Sequence, residues 1–121
     1  MGMLDNPVTG PLERYLDLLA RRQELIVSNM ANVDTPNYRT RDIDFAGELR
    51  RAAATLDGSD PPPQVLEVQG LVERPDGNNV SMDREGMLLA ETQLEFRMGT
   101  ALLKHTFQGL MSVIKEGGTS S

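Results

Sequence analysis

The residues SNMANVDTPNYRTRDIDF, Ser28 to Phe45, decide how the rest of the chain is read. They follow a stretch of helical periodicity, yet they hold three Asn, a Pro and no apolar repeat of their own. The residue before a proline is pushed out of the α region, so the preceding helix must stop before Pro36, with Thr35 extended. Asn32 reads as the C′ residue of that helix, in the left-handed region. Thr35-Pro36-Asn37-Tyr38 reads as a β-turn: Pro36 presets φ at the second position, and Asn37 tolerates a positive φ at the third.

Upstream, Pro11 suits the first turn of a helix, where its missing N–H costs nothing. Leu12, Leu16, Leu19, Gln23, Ile26, Met30 and Val33 alternate at spacings of four and three. That pattern predicts an amphipathic helix of about 22 residues, roughly 33 Å long, with Leu18 and Leu25 widening its apolar stripe. Arg14, Asp17, Arg21, Arg22 and Glu24 mostly cover the other face.

Downstream, Asp44 is placed to cap a short helix over Phe45–Leu56, a stretch rich in helix formers. DGSDPPP (57–63) reads as an extended linker. VLEV (65–68) and LVE (71–73) flank Gln69-Gly70 and predict a weak β-hairpin, which needs a packing partner. PDGNN (75–79) marks a second turn. Ser81 or Asp83 then caps a long C-terminal helix. Met82, Gly86, Leu89, Gln93, Phe96, Thr100, Leu103, Phe107, Leu110 and Ile114 repeat the four-three alternation, and Met87, Leu94, Met98 and Leu102 form an adjacent stripe. The helix is expected to reach about Lys115, with Gly117 and Gly118 ending it. Gly86, Gly99 and Gly109 lie inside it; each costs up to about 1 kcal/mol against Ala but permits close helix approach.

The expected architecture is therefore mainly α. Two long amphipathic terminal helices pair as an antiparallel coiled coil, around an irregular middle with a short helix and the weak hairpin. Leu12, Leu16, Leu19, Ile26 and Met30 would pack against Leu89, Phe96, Leu103, Phe107, Leu110 and Ile114. Three segments follow: 1–36, tail and first helix; 37–80, extended segment, linker and hairpin; 81–121, second helix and tail. Both stripes are wider than one seam. The flanks left over mark an interaction surface, so this chain is expected to complete its folding by assembling.

Composition narrows the function. The chain has 121 residues, 39% of them apolar, with no Trp and no Cys. A net charge of −6 argues against nucleic acid as partner, because phosphate binding needs a cationic footprint. Without cysteine there is no disulfide or thiolate chemistry. No apolar run approaches the ~20 residues that span a bilayer. MGMLDNPVTG has neither a basic n-region nor an apolar h-region, so no cleaved signal peptide is expected. His105, the single histidine, reads as a surface or packing residue, without a nucleophile or orienting group beside it. Asp42 and Asp44 supply too few oxygens for a calcium site of about 6–8 ligands. No catalytic, cofactor-binding or metal-binding residues are expected.

The opening stretch carries a resemblance. A helix ending in N-x-A-N, followed by T-P-x-Y and a basic residue, is present as Asn29, Ala31, Asn32, Thr35, Pro36, Tyr38 and Arg39. RDIDF adds Arg41, Asp42, Asp44 and Phe45, and GNNVSMDRE (77–85) leads into the second helix. With these motifs the chain resembles the bacterial flagellar basal-body rod proteins, in particular those of the proximal rod. Asn37, where Gly is common, and Gly86, where a larger residue is usual, depart from the pattern. The resemblance implies a structural subunit and no enzyme. Its terminal helices would form the innermost domain of an axial tube in the basal body. Tyr38 and Phe45 would anchor the departing segment, and Arg39, Arg41, Asp42 and Asp44 would pair with adjacent subunits. It also implies export through the flagellar type III apparatus without a cleaved signal peptide, and no membrane insertion. The implied neighbours are copies of itself, other rod proteins, the rod–export adaptor and the membrane ring. A rival reading of two apolar stripes is a cytoplasmic helical-hairpin adaptor or export chaperone, which has no need of the N-x-A-N…T-P-x-Y exit.

Overall fold

The computed structural model describes residues 9–55 and 62–119. The first tail through Val8, linker residues 57–61 and the last two serines lie outside them, as does Leu56. Gly10–Ala31 forms helix α1, with Pro11 in its first turn. Strand β1 is Arg41–Ile43, helix α2 is Phe45–Ala54, strand β2 is Val65–Glu67 and helix α3 is Met82–Thr119. α1 and α3 pack together antiparallel, because Leu16 meets Gly99 near one end while Asn29 meets Glu85 at the other.

α1 has two apolar faces with different partners. Leu19 and Ile26, both essentially buried, continue the stripe of Leu16 toward α3. Leu18 and Leu25 turn the other way and form a cluster with Ile43 of β1, against which Phe45, Leu49 and Val65 pack. Phe45 stands edge-on to Tyr15, with ring centroids 5.8 Å apart, and the Arg22 guanidinium lies 5.8 Å from its centroid. The widened stripe is thus the means by which one helix holds both α3 and the small β-layer.

The strand at 65–67 pairs with β1 and not with residues 71–73. Arg41, Asp42 and Ile43 oppose Glu67, Leu66 and Val65 in an antiparallel register. A hairpin closed on itself at Gln69-Gly70 would have no apolar face to cover. Pairing with β1 places Ile43 and Val65 on the α1 cluster.

Helix ends follow local chemistry. Asp44 accepts the Gly47 N–H (3.3 Å) and caps α2 as expected. α2 stops at Ala54; Thr55 turns extended and its carbonyl accepts from Arg14 (2.8 Å). Ser81 caps α3, its hydroxyl accepting the Arg84 N–H at 3.2 Å. α3 continues past Lys115 and through Gly117 and Gly118 to Thr119, since glycine permits a helix to end without forcing it to. Asn37 has the expected positive φ of 64°, with Tyr38 N–H bonded to Thr35 O at 3.2 Å. Asn32 does not take the left-handed region: its φ is −102° and ψ 19°. Its N–H still bonds within the helix, and its carbonyl finds a partner elsewhere in the chain, so no left-handed closure is needed.

The seam between the helices is uneven. A Cβ on Gly99 would lie 2.7 Å from Leu16 Cδ2 and 3.3 Å from the Tyr15 ring, so here glycine sets the approach distance. Gly86 and Gly109 meet nothing within 4 Å, so the close approach expected there is absent among the described residues. Leu12, Leu16, Met30, Leu89, Leu103 and Leu110 are half-buried. Phe96, Phe107 and Ile114, expected in the seam, are exposed. For Phe107 and Ile114 the cause is length, since α1 begins at Gly10 while α3 runs on well past the Leu16–Gly99 contact.

Two outcomes test this packing. Gly99→Val should lower stability by about 1–3 kcal/mol through overpacking, and Gly109→Ala should raise it by up to about 1 kcal/mol, both read from urea melts. Burial first, then the charge of Glu95 and the 3.3 Å hydrogen bond donated to it, push the Tyr15 phenol pKa up. A raised folded-state pKa gives stability that is complete below the ordinary tyrosine value of about 10 and is lost as pH climbs through the folded value. Thermal melts across the alkaline range should therefore show a steeper fall for the parent chain than for Tyr15→Phe.

Candidate functional site

Asn29, in the last turn of α1, is buried and uses its whole amide. Its Nδ2 donates to Arg41 O (2.9 Å) and to Glu85 Oε1 (2.7 Å). Its Oδ1 accepts from Arg41 N–H (3.1 Å) and from the Tyr38 hydroxyl (3.1 Å). Two donors and two lone pairs are the full capacity of a carboxamide. The side chain thereby reads both backbone groups of Arg41 as a neighbouring strand would, and ties that strand to the first turn of α3. A carboxylate at the same position would face Glu85 with like charge.

A chain of ionic contacts extends from this amide. Glu85 is fully buried and accepts from Arg84 at Oε2 (2.6 Å). Arg84 also lies 3.4 Å from Asp42 Oδ2. Asp42 receives Arg22 of α1 in a two-point fork, at 3.2 and 3.1 Å, and accepts the Ile43 N–H at 2.8 Å. α1, β1 and the start of α3 are thus joined by one continuous polar network, and the fork geometry is the strong form of an arginine–carboxylate pair.

A second set closes the open end of α1. Asn78 donates to Asn32 O (2.9 Å) and Thr35 O (2.8 Å), and accepts the Val80 N–H (2.8 Å). This is the carbonyl partner that spares Asn32 a left-handed conformation. Arg74 donates to Val33 O and to Val80 O. Asn79 Oδ1 accepts the Thr40 N–H at 2.7 Å, and Thr40 Oγ1 donates back to Asn79 O at 3.2 Å. The turns at Asn37 and Gly77 nest together: Asn37 N–H bonds to Asp76 O at 2.9 Å, and a Cβ on Gly77 would fall 2.3 Å from Asn37 Oδ1. Gly77 also has φ of 83°, so only glycine suits both demands.

The motif residues therefore meet partners inside this chain. Asn29, Tyr38, Arg41 (through its backbone) and Asp42 come together in the clasp. Asn32 and Thr35 bond each other, Oγ1 to Oδ1 at 3.0 Å. Arg39 reaches Gly77 O and Glu73, and Phe45 belongs to the apolar cluster. Ala31, Thr35, Pro36, Asp44 and the Arg41 side chain stay exposed, the last 5.9 Å from the Tyr38 ring centroid. Arg22, Thr40, Arg74, Asn78, Asn79, Arg84 and Glu85 complete the clasp without having been singled out from sequence. The signal for the last four was the GNNVSMDRE segment, which carries the resemblance but assigns its residues no partners.

The arrangement does no chemistry of its own. It freezes the exit of α1 against the entry of α3. Among the described residues no group of three or more His, Asp or Glu side chains converges to hold a metal, and no helix is long and apolar enough to cross a membrane. Beside the clasp, a groove of about 690 Å³ runs between α1 and α3, walled by Ala20, Val27, Ala31 and Phe96.

Sequence comparison gives close relatives. The flagellar basal body rod protein FlgB of Salmonella typhimurium is 37% identical over 125 residues, covering 87% of this chain and 91% of that protein. FlgB of Escherichia coli is 35% identical over 126 residues, with the same shares. FlgB of Cereibacter sphaeroides is 36% identical over 118 residues, covering 88% and 92%. No protein-family model matches the chain.

Removing the Asn29 amide tests the clasp. Asn29→Ala leaves Glu85 Oε1 and both Arg41 backbone groups without this partner, while Glu85 keeps Arg84 and the Tyr38 hydroxyl keeps Ser28, and at about 1–3 kcal/mol per unsatisfied buried group the loss should be several kcal/mol. Denaturant melts should show Asn29→Ala well below Ser28→Ala, whose side chain is exposed.

Proposed function

The chain belongs to the FlgB family of flagellar basal body rod proteins, and on that premise we propose how its surfaces serve the rod. It is a structural subunit of the proximal rod, it catalyses no reaction, and it assembles with other rod proteins. The observation that carries the reading is the apolar surface of α3 left outside the chain's own core. Leu94, Met98, Leu102, Met111, Val113 and Ile114 are all more than half exposed. Large apolar side chains left uncovered along most of a helix fit an interaction site better than a free monomer.

The clasp gives that surface a fixed presentation. With the exit of α1 held to the entry of α3, the hairpin offers its outer faces as a rigid unit. The exposed motif residues Ala31, Thr35, Pro36, Arg41 and Asp44 stand on the rim where a neighbouring subunit arrives. Exposed charge pairs are worth about 0–1 kcal/mol, so they set register more than affinity. The neighbours are copies of the chain, other rod proteins, the rod–export adaptor and the membrane ring. The chain travels through the flagellar type III apparatus. The outer face of α3 is covered only when neighbours arrive, and coupling its final ordering to assembly restrains polymerisation before delivery.

Fractionation tests the reading. A tagged chain should co-purify with detergent-washed basal bodies, and its deletion should abolish motility. Recovery in the cytosolic fraction alone, from motile and fully assembled cells, would favour an adaptor or chaperone instead.

A further inference from the structure

Two surfaces of the helical hairpin lack cover among the described residues, and they point in different directions. One is the groove walled by Ala20, Val27, Ala31 and Phe96. The other is a ridge on α3 formed by Met87, Leu94, Met98 and Leu102, exposed by 65, 58, 63 and 55%. At 3.6 residues per turn the ridge spans roughly 80° and lies about 120° round the helix from Glu85, Thr92 and Gly99, the buried side of α3. The groove is concave, its walls mixing Gln23, Glu24 and Ser28 with Ala20, Val27, Ala31 and Phe96, and the ridge is convex with flexible apolar side chains. Within one chain they cannot meet.

Their charges also match. The face of α1 that walls the groove carries Asp17 and Glu24, seven residues apart, and the ridge is edged by Arg97 and Lys104, also seven apart. Among the described residues Asp17, Arg97 and Lys104 make no ion pair, and Glu24 pairs only with the exposed Arg21 in its own turn. Laying α3 antiparallel on α1 with Arg97 opposite Glu24 brings Lys104 opposite Asp17. The same register sets Leu94 against Val27, Met98 against Gln23 and Ala101 against Ala20.

We propose that the α3 ridge of one copy seats in the α1–α3 groove of a second copy in this register. The inference rests on the rod-subunit reading and names the self-contact within it. Each copy then offers a ridge to one neighbour and a groove to the other. Such a head-to-tail contact closes into a ring or continues as a helical row. In this register Leu94 and Met98 enter the groove while Met87 and Leu102 lie beyond its ends, so one contact buries well under the ~800 Å² per partner of a standard stable interface. Two copies alone bind weakly, while a copy inside a row uses both faces.

The chain has no cysteine, so engineered thiols report this contact without background. Full-length V27C and L94C chains are mixed at high concentration under mild oxidation. Both positions are more than half exposed, so neither variant should disturb folding. The V27C–L94C disulfide should exceed V27C–M87C by roughly tenfold, because M87C lies about 10 Å off register along the helix and disulfide geometry is strict. E24R on the V27C chain should lower the yield, and R97E on the L94C chain should restore it. Equal yields for the two thiol pairs, dominant V27C–V27C or L94C–L94C products, or no charge-swap rescue would each overturn the proposal. The same thiols are then oxidised in isolated basal bodies. Chain present there without the V27C–L94C product would remove this contact and leave the rod reading intact. Chain absent from basal bodies would remove the rod reading, and the solution cross-link would still decide the contact.

Discussion

The whole arrangement hangs on one buried carboxamide. Asn29 spends its four hydrogen bonds on three separate segments: the returning strand at Arg41, the Tyr38 hydroxyl and the first turn of α3 at Glu85. An apolar residue of similar size would bury as well but would hold nothing in register. Hydrophobic contact is non-directional. A buried amide with every valence used tolerates one geometry, because any shift leaves a group unsatisfied at a cost of about 1–3 kcal/mol. The Arg22–Asp42–Arg84–Glu85 chain extends that specificity from one amide to the junction of three elements.

This placement of polar groups matters because the apolar core is thin. Buried apolar side chains are few among the described residues: Leu19 and Ile26 on the α3 side, Leu18, Leu25 and Ile43 on the other, and the smaller Ala52 and Val80. A subunit that must present greasy surface to neighbours cannot also hide it. The junction is therefore rigidified by hydrogen bonds and ion pairs, while α3 keeps its Leu, Met and Phe side chains available. Rigidity at one end and uncovered apolar surface along the length suit a structural subunit of a rod.

Much of this was legible beforehand. Four-three alternation located α1 and α3, and the Thr35-Pro36-Asn37-Tyr38 turn, with Asn37 at positive φ, followed from steric rules that operate within four residues. The Asp44 cap was of the same kind. Where reading failed, distance in sequence was the reason. The pairing of β2 with β1 spans a gap of more than twenty residues, and nothing local distinguishes it from the hairpin that VLEV and LVE seemed to offer. Asn32 suits a left-handed cap by local rules, but its carbonyl partner, Asn78, lies far along the chain, in the PDGNN turn. Phe107 and Ile114 obey the seam's periodicity but run past the start of α1, and periodicity carries no information about where a partner helix begins.

By itself the sequence determined what depends on near neighbours: where the long helices lie, which of their faces are apolar, the positive φ of Asn37, and a motif specific enough to indicate a rod subunit. Only the tertiary structure decided which apolar face meets which, that Gly99 alone among the three mid-helix glycines of α3 sets a close approach, and that Asn29, Asn32 and Asp42 find their partners inside the chain. The physical reason is that a side chain's preference for burial or for a hydrogen bond is local, while its partner is chosen by the path of the whole backbone.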